Sequence, residues 1–155
     1  MRITKYKTKL TEDKRITLEK EVSVNYPAID AIRSPENVYE LATGYLRMHE
    51  ESEEYLYLVC MNVKNRITGV FEISHGNVNS SIFGVREILQ KALLANAVNI
   101  IVMHNHPSGD PSPSREDIAV TERLRDAGRL IGIELLDHII VGDGKFSSLK
   151  EKGYL

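Results

Sequence analysis

The sequence predicts one α/β core built on a mixed β-sheet with flanking helices. Segments with apolar residues at every second position alternate with segments whose apolar residues recur every three to four positions, which are the periods of strands and amphipathic helices. The length of 155 residues suits one hydrophobic core. A hydrophobic fraction of 42% with 27% charged residues is normal for a folded domain.

An N-terminal strand hairpin extension is predicted over residues 1–33. Apolar and polar residues alternate over 3–10 and 15–24, which is the pattern of two half-buried strands. The residues Glu12-Asp13 between them are typical of a turn. The main domain is then expected over residues 34–155.

The main domain should begin with a helix. Ser34 suits an N-cap, Pro35 suits the first helical position, and Glu36 places an acid in the first turn. The later strands are predicted from branched and aromatic runs, and the later helices from apolar residues on one face. The predicted elements are a helix over 35–48, strands over 54–63 and 66–74 joined at Lys64-Asn65, a helix over 85–95, a strand over 98–103, a helix from Ser114 to Gly128 or Gly132, and a strand over 133–141.

Composition and charge argue against several classes of protein. The single cysteine, Cys60, permits no internal disulfide and no thiolate metal cluster, and its apolar neighbours predict a core position. The apolar runs are far shorter than the roughly 18 residues of a membrane span. The N-terminus lacks the apolar stretch of a secretory signal, so a cytoplasmic protein without a membrane partner is expected. A net charge of −2 argues against a large non-specific nucleic-acid surface.

Two histidines follow the strand predicted over 98–103. Residues two apart in an extended chain point to one face, so the imidazoles of His104 and His106 should converge while Asn105 points the other way. The following loop leads to Asp117 at the start of the next helix, where a carboxylate can join the two imidazoles. Two histidines and one carboxylate, with a position left for water, are the ligands of a catalytic zinc site.

The same residues also have a structural interpretation. Ser114-Arg-Glu-Asp117 fits a capping box, in which the serine caps the helix and the acid reaches back to it. His104 and His106 taken alone fit histidines that are hydrogen-bonded in a turn. Taken one at a time, these residues leave both interpretations open, whereas their joint spacing favours the metal site.

This spacing, H-x-H, seven residues and then S-x-x-D, resembles the metal motif of the JAMM (MPN-plus) metallopeptidases. The run His104-Asn-His-Pro-Ser-Gly-Asp-Pro-Ser-Pro-Ser-Arg-Glu-Asp117, followed by Leu135-Leu-Asp-His-Ile-Ile-Val-Gly-Asp-Gly144, resembles the RadC-like branch, and the resemblance covers roughly residues 36–155. It implies a cytidine-deaminase-like layered fold and a Zn²⁺ ion held by His104, His106 and Asp117. It also implies that Ser114 holds the metal-bound water or the developing oxyanion.

The family further uses an upstream glutamate as general acid and base. Glu54 is the first candidate, because it opens a predicted strand where desolvation raises a carboxyl pKa, and because Asn65-Arg-Ile follows it as in RadC-like sequences. Glu53 and Glu87 are the alternatives, and a solvated turn acid is the structural interpretation. Asp137-His138 resembles the Asp-His of RadC sequences and either supports the metal ligands from behind or belongs to the core.

The leading functional prediction is a zinc-dependent hydrolase of metallopeptidase or isopeptidase type. Zinc-activated water would attack the bond, a glutamate would transfer the proton, and a peptide or an isopeptide-linked protein would be the substrate. The alternatives are a metal-dependent phosphodiesterase in DNA repair or on mobile DNA, a non-catalytic metal-binding module, and a non-haem iron oxygenase, which uses similar ligands. Full-length RadC proteins carry a helical module that resembles DNA-binding units where this sequence has strands, so DNA is the weaker expected partner. The sequence does not predict an oligomeric state.

Overall fold

A seven-stranded mixed sheet forms the centre of the computed structural model, which describes residues 1–76 and 84–155. The strands are β1 (Arg2–Leu10), β2 (Ile16–Asn25), β3 (Glu54–Met61), β4 (Ile67–Gly76), β5 (Asn99–Asn105), β6 (Glu134–Val141) and β7 (Phe146–Ser148). Their order across the sheet is β2-β1-β4-β3-β5-β6-β7. The β1–β4 and β5–β6 pairs are parallel and the other pairs are antiparallel. The predicted mixed sheet is confirmed.

Helices cover both faces of this sheet. They are α1 (Pro35–Glu40), α2 (Val85–Leu94) and α3 (Arg115–Leu130). Neighbouring residues of β5 show the layering: Met103 packs in the same core cluster as Val38 of α1. Val102 packs in the second cluster, with Ile88 of α2 and Leu124 of α3. The period of two in the strand thus separates two apolar cores, and the fold is the layered α/β arrangement that the family resemblance implies.

The N-terminal hairpin continues the sheet. β1 pairs with β4 in parallel at Lys5 and Tyr6, and Ile3 is fully buried in the core. β2 lies at one edge of the sheet, next to β1. The division of the chain into two domains after residue 33 stays a prediction.

The predicted helix over 35–48 is wrong in its length and type. The α-helix ends at Glu40, a π-helical turn follows over Leu41–Tyr45, and Leu46 N–H donates to Leu41 O at 3.1 Å. The Thr43 hydroxyl donates to Tyr39 O at 2.9 Å and competes for a helical carbonyl. Arg47 then adopts a left-handed φ of 55°, which breaks the helix before a 3₁₀ turn over Met48–Glu50.

The remaining elements lie where the sequence predicts them, with changes at their ends. β5 runs on through His104 and Asn105, and α3 ends at Leu130, two residues before Gly132 with its positive φ of 75°. The short strand β7 was not predicted. Cys60 is fully buried, as expected. Within the described part of the chain, no helix has the length and apolar character needed to cross a membrane.

Candidate metal centre

The site begins at the end of a central strand. β5 lies between β3 and β6, and His104 pairs with Leu56 on one side and Ile140 on the other. This central position leaves His104 only 3% exposed. His106 follows the strand and is half-buried, and its N–H donates to Val141 O at 2.9 Å. The two imidazoles therefore stand at the point where the strand leaves the core.

The backbone alternation aims the side chains as predicted. The Nε2 atoms of His104 and His106 lie 2.9 Å apart. Asn105 points away from them: its Oδ1 accepts from Tyr55 N–H at 2.8 Å, and its Nδ2 donates to Glu53 O at 2.9 Å. Asn105 thus ties β5 to the beginning of β3, while the histidines face the start of α3.

The start of α3 is a complete capping box. Asp117 N–H donates to Ser114 Oγ at 3.0 Å, and Ser114 N–H donates to Asp117 Oδ2 at 2.8 Å. The Ser114 hydroxyl also donates to Oδ2, at 2.6 Å. The other carboxylate oxygen, Oδ1, lies 3.4 Å from His104 Nε2. The capping and metal interpretations of Asp117 are therefore compatible, because its two oxygens face different neighbours.

The donor set fits a divalent metal. The ligand atoms of His104, His106 and Asp117 all lie within 4.8 Å of one another. Zinc bonds of about 2.0–2.1 Å in a tetrahedron place neighbouring ligand atoms about 3.3 Å apart. The observed separations are 2.9 Å between the two Nε2 atoms and 3.4 Å from His104 Nε2 to Asp117 Oδ1. The capping oxygen, Oδ2, lies 3.7 Å from His106 Nε2. Small side-chain movements suffice to admit an ion.

The three candidate ligands have pKa values that are shifted in different directions. Burial lowers the pKa of His104 to about 4, so this ring is neutral near pH 7. The Asp117 carboxylate raises the pKa of the less buried His106. Burial alone would raise the pKa of Asp117, but its contacts with His106, His104 and Ser114 hold that pKa well below its usual value. An anionic oxygen therefore stands beside two imidazoles, which favours a cation.

Glu54 is the glutamate that the fold brings to this cluster. Leu56 pairs with His104 across β3 and β5, and side chains two apart share a face of a strand, so Glu54 and His104 lie on the same side of the sheet. Burial raises the pKa of Glu54, while the charge of His106 lowers it and that of Asp117 raises it. Glu54 is therefore a half-buried carboxyl group on the face of the sheet that carries His104.

The two alternative glutamates lie elsewhere on the surface. Glu53 is exposed, and its backbone carbonyl accepts from the Asn105 amide. Glu87 is exposed on α2 and pairs with Arg86 at 3.5 Å. Ser114 is also exposed, at the N-cap of α3. The catalytic roles of Glu54 and Ser114 stay predictions.

Further groups contact the Nδ1 atoms of His104 and His106, the ring nitrogens opposite the candidate metal position. His106 Nδ1 lies 2.8 Å from Asp110 O, and His104 Nδ1 lies 2.7 Å from His138 Nε2. His138 in turn lies 2.6 Å from Thr121 Oγ1. His138 therefore fits both interpretations from the sequence, because it is a core residue that also contacts a candidate ligand. Thr121 and Asp110 were not predicted from the sequence. Thr121 could have been found, because it lies one helical turn after Asp117. Asp110 could not, because it contacts His106 through its backbone carbonyl, which leaves no signal in a sequence.

A groove of about 220 Å³ opens beside His106. Its wall combines the loop after β5, the turn after β6 and the segment before β3. Among the described residues that line it, the carboxylates are Glu51 and Asp143, and His49 and His106 are the only basic side chains. A substrate that follows this groove to the histidines therefore passes acidic side chains.

The fold and this cluster together define a JAB/MPN-type domain with a candidate metal site. The RadC-like JAB domain model matches residues 32–154, and the chain belongs to this family. The family resemblance predicted from the motifs is thereby confirmed.

Several curated relatives are similar to the chain. A UPF0758 protein of Bacillus licheniformis is 52% identical over 124 residues, which cover 80% of this chain and 54% of the relative. A UPF0758 protein of Methanosarcina acetivorans is 48% identical over 124 residues, with 80% and 53% covered. One from a Geobacillus species is 47% identical over 141 residues, with 90% and 62% covered. The chain spans about half the length of the first two relatives, and these names state no reaction.

Proposed function

We propose that this chain is a zinc-dependent hydrolase of amide or isopeptide bonds. The observation that carries the proposal is the convergence of His104 Nε2, His106 Nε2 and the Asp117 carboxylate within 4.8 Å, with the half-buried Glu54 on the same face of the sheet as His104. Zinc held by these three donors would lower the pKa of water to about 7 and polarise a substrate carbonyl. Three protein ligands leave a coordination position open, which distinguishes a catalytic site from a structural one.

Glu54 is the proposed general base and acid. Its raised pKa, caused first by burial, brings the carboxylate nearer to the value that suits proton transfer near neutral pH. The Glu54 carboxylate would accept a proton from water as the bond is attacked. It would then return that proton to the leaving amine, which departs poorly as an anion. The position at the beginning of β3 suits this role, because Glu54 shares a face of the sheet with His104 and is partly exposed to solvent.

Ser114 is the proposed donor to the substrate. Its hydroxyl now donates to Asp117 Oδ2 at 2.6 Å and lies at the exposed rim of the cluster. If the hydroxyl rotates toward a carbonyl oxygen, Oδ2 still accepts the Ser114 N–H at 2.8 Å and is not left unpaired. The rotated hydroxyl exchanges its bond to Asp117 for one to the substrate, where it can stabilise negative charge as it develops.

The acidic groove favours an amide over a phosphodiester substrate. Glu51 and Asp143 line the space beside His106, and Glu54 lies on the same face of the sheet as His104. Phosphate groups of DNA would meet like charges there, whereas an amide is neutral and a lysine side chain is attracted. The proposed partner is thus a peptide or an isopeptide-linked protein, and DNA is the less favoured candidate.

The test compares substrate classes at a defined metal content. The chain, loaded with one equivalent of zinc and checked by elemental analysis, is assayed against α-linked peptides, ε-lysyl isopeptides, and single- and double-stranded DNA. We expect cleavage in the first two classes. Glu54→Gln should abolish most of it, whereas Glu53→Gln, an exposed neighbour, should not. DNA cleavage without amide cleavage would overturn the proposal, and so would equal activity of the Glu54→Gln variant.

A further inference from the structure

A chain of hydrogen bonds runs from α3 through β6 to one of the candidate ligands. Thr121 Oγ1 lies 2.5 Å from Asp117 O and 2.6 Å from His138 Nδ1. His138 Nε2 lies 2.7 Å from His104 Nδ1. Thr121 and His138 are fully buried, and His104 is 3% exposed. Water therefore has little access to these groups, and the contacts decide where the protons lie.

The direction of the first bond is determined by its acceptor. A backbone carbonyl oxygen only accepts, so the Thr121 hydroxyl donates its single proton to Asp117 O, one helical turn before it. Toward His138 the hydroxyl oxygen can then only accept. The proton in that second bond must come from the ring, and it lies on His138 Nδ1.

The same reasoning passes through the buried imidazole. His138 is fully buried, which disfavours a charged ring, so the ring carries one proton and its Nε2 is bare. A bare Nε2 accepts, and the proton shared with His104 therefore belongs to His104 Nδ1. His104 is buried as well and carries its one proton on Nδ1, which leaves its Nε2 lone pair directed toward His106 and Asp117.

We infer that Thr121 and His138 are positioning residues that hold His104 in the tautomer whose Nε2 carries the lone pair that a metal ligand needs. The importance of this tautomer rests on the proposed function, whereas the tautomer itself does not. His106 reaches the same state more simply, because Asp110 O can only accept and thus keeps the proton on His106 Nδ1.

Removal of the Thr121 hydroxyl should reverse the direction of the hydrogen bond between His138 and His104. In Thr121→Val, a variant of nearly the same shape, His138 Nδ1–H would be buried against a methyl group. The proton would be better placed on His138 Nε2, where it donates to His104 Nδ1. His104 would then carry its proton on Nε2, where it blocks the lone pair. Thr121→Ser keeps the hydroxyl and is the matched control.

The direct test is nitrogen-15 NMR of the metal-free chain, in which long-range proton–nitrogen correlations separate protonated from bare imidazole nitrogens. Five histidines make assignment by single substitutions practicable. In the wild type, we expect protons on Nδ1 of both His104 and His138. In Thr121→Val, both protons should move to Nε2, and in Thr121→Ser both should return to Nδ1.

Zinc affinity, measured by competition with a chelator, provides the second readout. We expect Thr121→Val to bind zinc about 10- to 100-fold more weakly, the usual cost of losing a residue that orients a ligand, and Thr121→Ser to bind nearly as tightly as the wild type. A wild-type His104 with its proton on Nε2 would overturn the inference even if no variant folds. Unchanged tautomers in Thr121→Val would overturn it as well.

The two proposals fail in distinguishable ways. If the wild type shows the expected tautomers but binds no zinc, the proposed hydrolase function is wrong and the inference about the His104 and His138 tautomers stands. If the wild type binds zinc and cleaves amides with the opposite tautomers, the hydrolase stands and the role of Thr121 and His138 is wrong.

Discussion

Replacement of Asp117 by asparagine separates the two tasks of this side chain. In the wild type, Oδ2 accepts from Ser114 N–H and Oγ–H, and Oδ1 lies 3.4 Å from His104 Nε2. An asparagine can keep the cap with its oxygen toward Ser114, and its amide nitrogen then faces the histidines. The variant therefore retains most of the helix start but presents a donor where a metal needs an anionic oxygen.

The magnitudes follow from these contacts. Weakening the cap and removing the helix-start charge should cost about 0.3 to 1 kcal/mol in the metal-free protein. For a domain of this size, that lowers Tm by about 1 to 4 °C. Zinc at about 100 times its Kd should stabilise the wild type by about 2.7 kcal/mol, or about 5 to 11 °C. If Asp117→Asn weakens binding about 100-fold, the same zinc concentration adds only about 0.4 kcal/mol.

The assay is a pair of thermal melts, without and with zinc, supported by a chelator titration. Glu116→Gln is the matched control, because it neutralises another acid in the first turn of α3 without touching the histidines. The control should lose a little stability and retain the full zinc-dependent shift. An equal zinc-dependent shift in the wild type and Asp117→Asn would refute the reasoning and leave Asp117 as a helix cap only.

Three further predictions concern catalysis, the supporting loop and pH. Glu54→Gln should retain zinc and Tm but lower kcat by roughly 10² or more in a peptide-cleavage assay, and unchanged turnover would exclude it as the general base. In Gly142→Ala, the new Cβ would lie 2.4 Å from Gly109 O, so the loop that holds His106 should shift, with a loss of about 1–3 kcal/mol in urea unfolding and weaker zinc binding; an unchanged unfolding midpoint would contradict this. Burial alone would raise the pKa of Glu72, but its hydrogen bonds to Lys5 and His75 lower it overall, so its stabilising contribution is present above the unfolded pKa of about 4.3 and is lost as pH falls through the folded value. Glu72→Gln should thus destabilise the protein by up to about 1 kcal/mol at pH 7 and by less at pH 3, and equal effects at both pH values would argue against the ion pair.

Local periodicity made much of the fold and the centre of the site predictable. Alternating apolar residues located the first two strands, and branched and aromatic runs located the later ones. The period of two required His104 and His106 to share a face. The spacing from Ser114 to Asp117 located a helix start with an acid in its first turn. These features depend on contacts between residues close in the chain, so the order of residues alone determines them.

Tertiary structure decided which distant groups join this centre. Glu54 reaches it because β3 pairs with β5, and the sequence left Glu53 and Glu87 as alternatives. His138 and Thr121 meet His104 because β6 and α3 pack against the end of β5. Hydrogen bonds of this kind join residues 17 to 34 positions apart, and no periodic pattern records which partner each group will find. Sequence periodicity gives the direction of a side chain within its element, whereas the proton on a buried imidazole depends on which atoms the folded chain places around it.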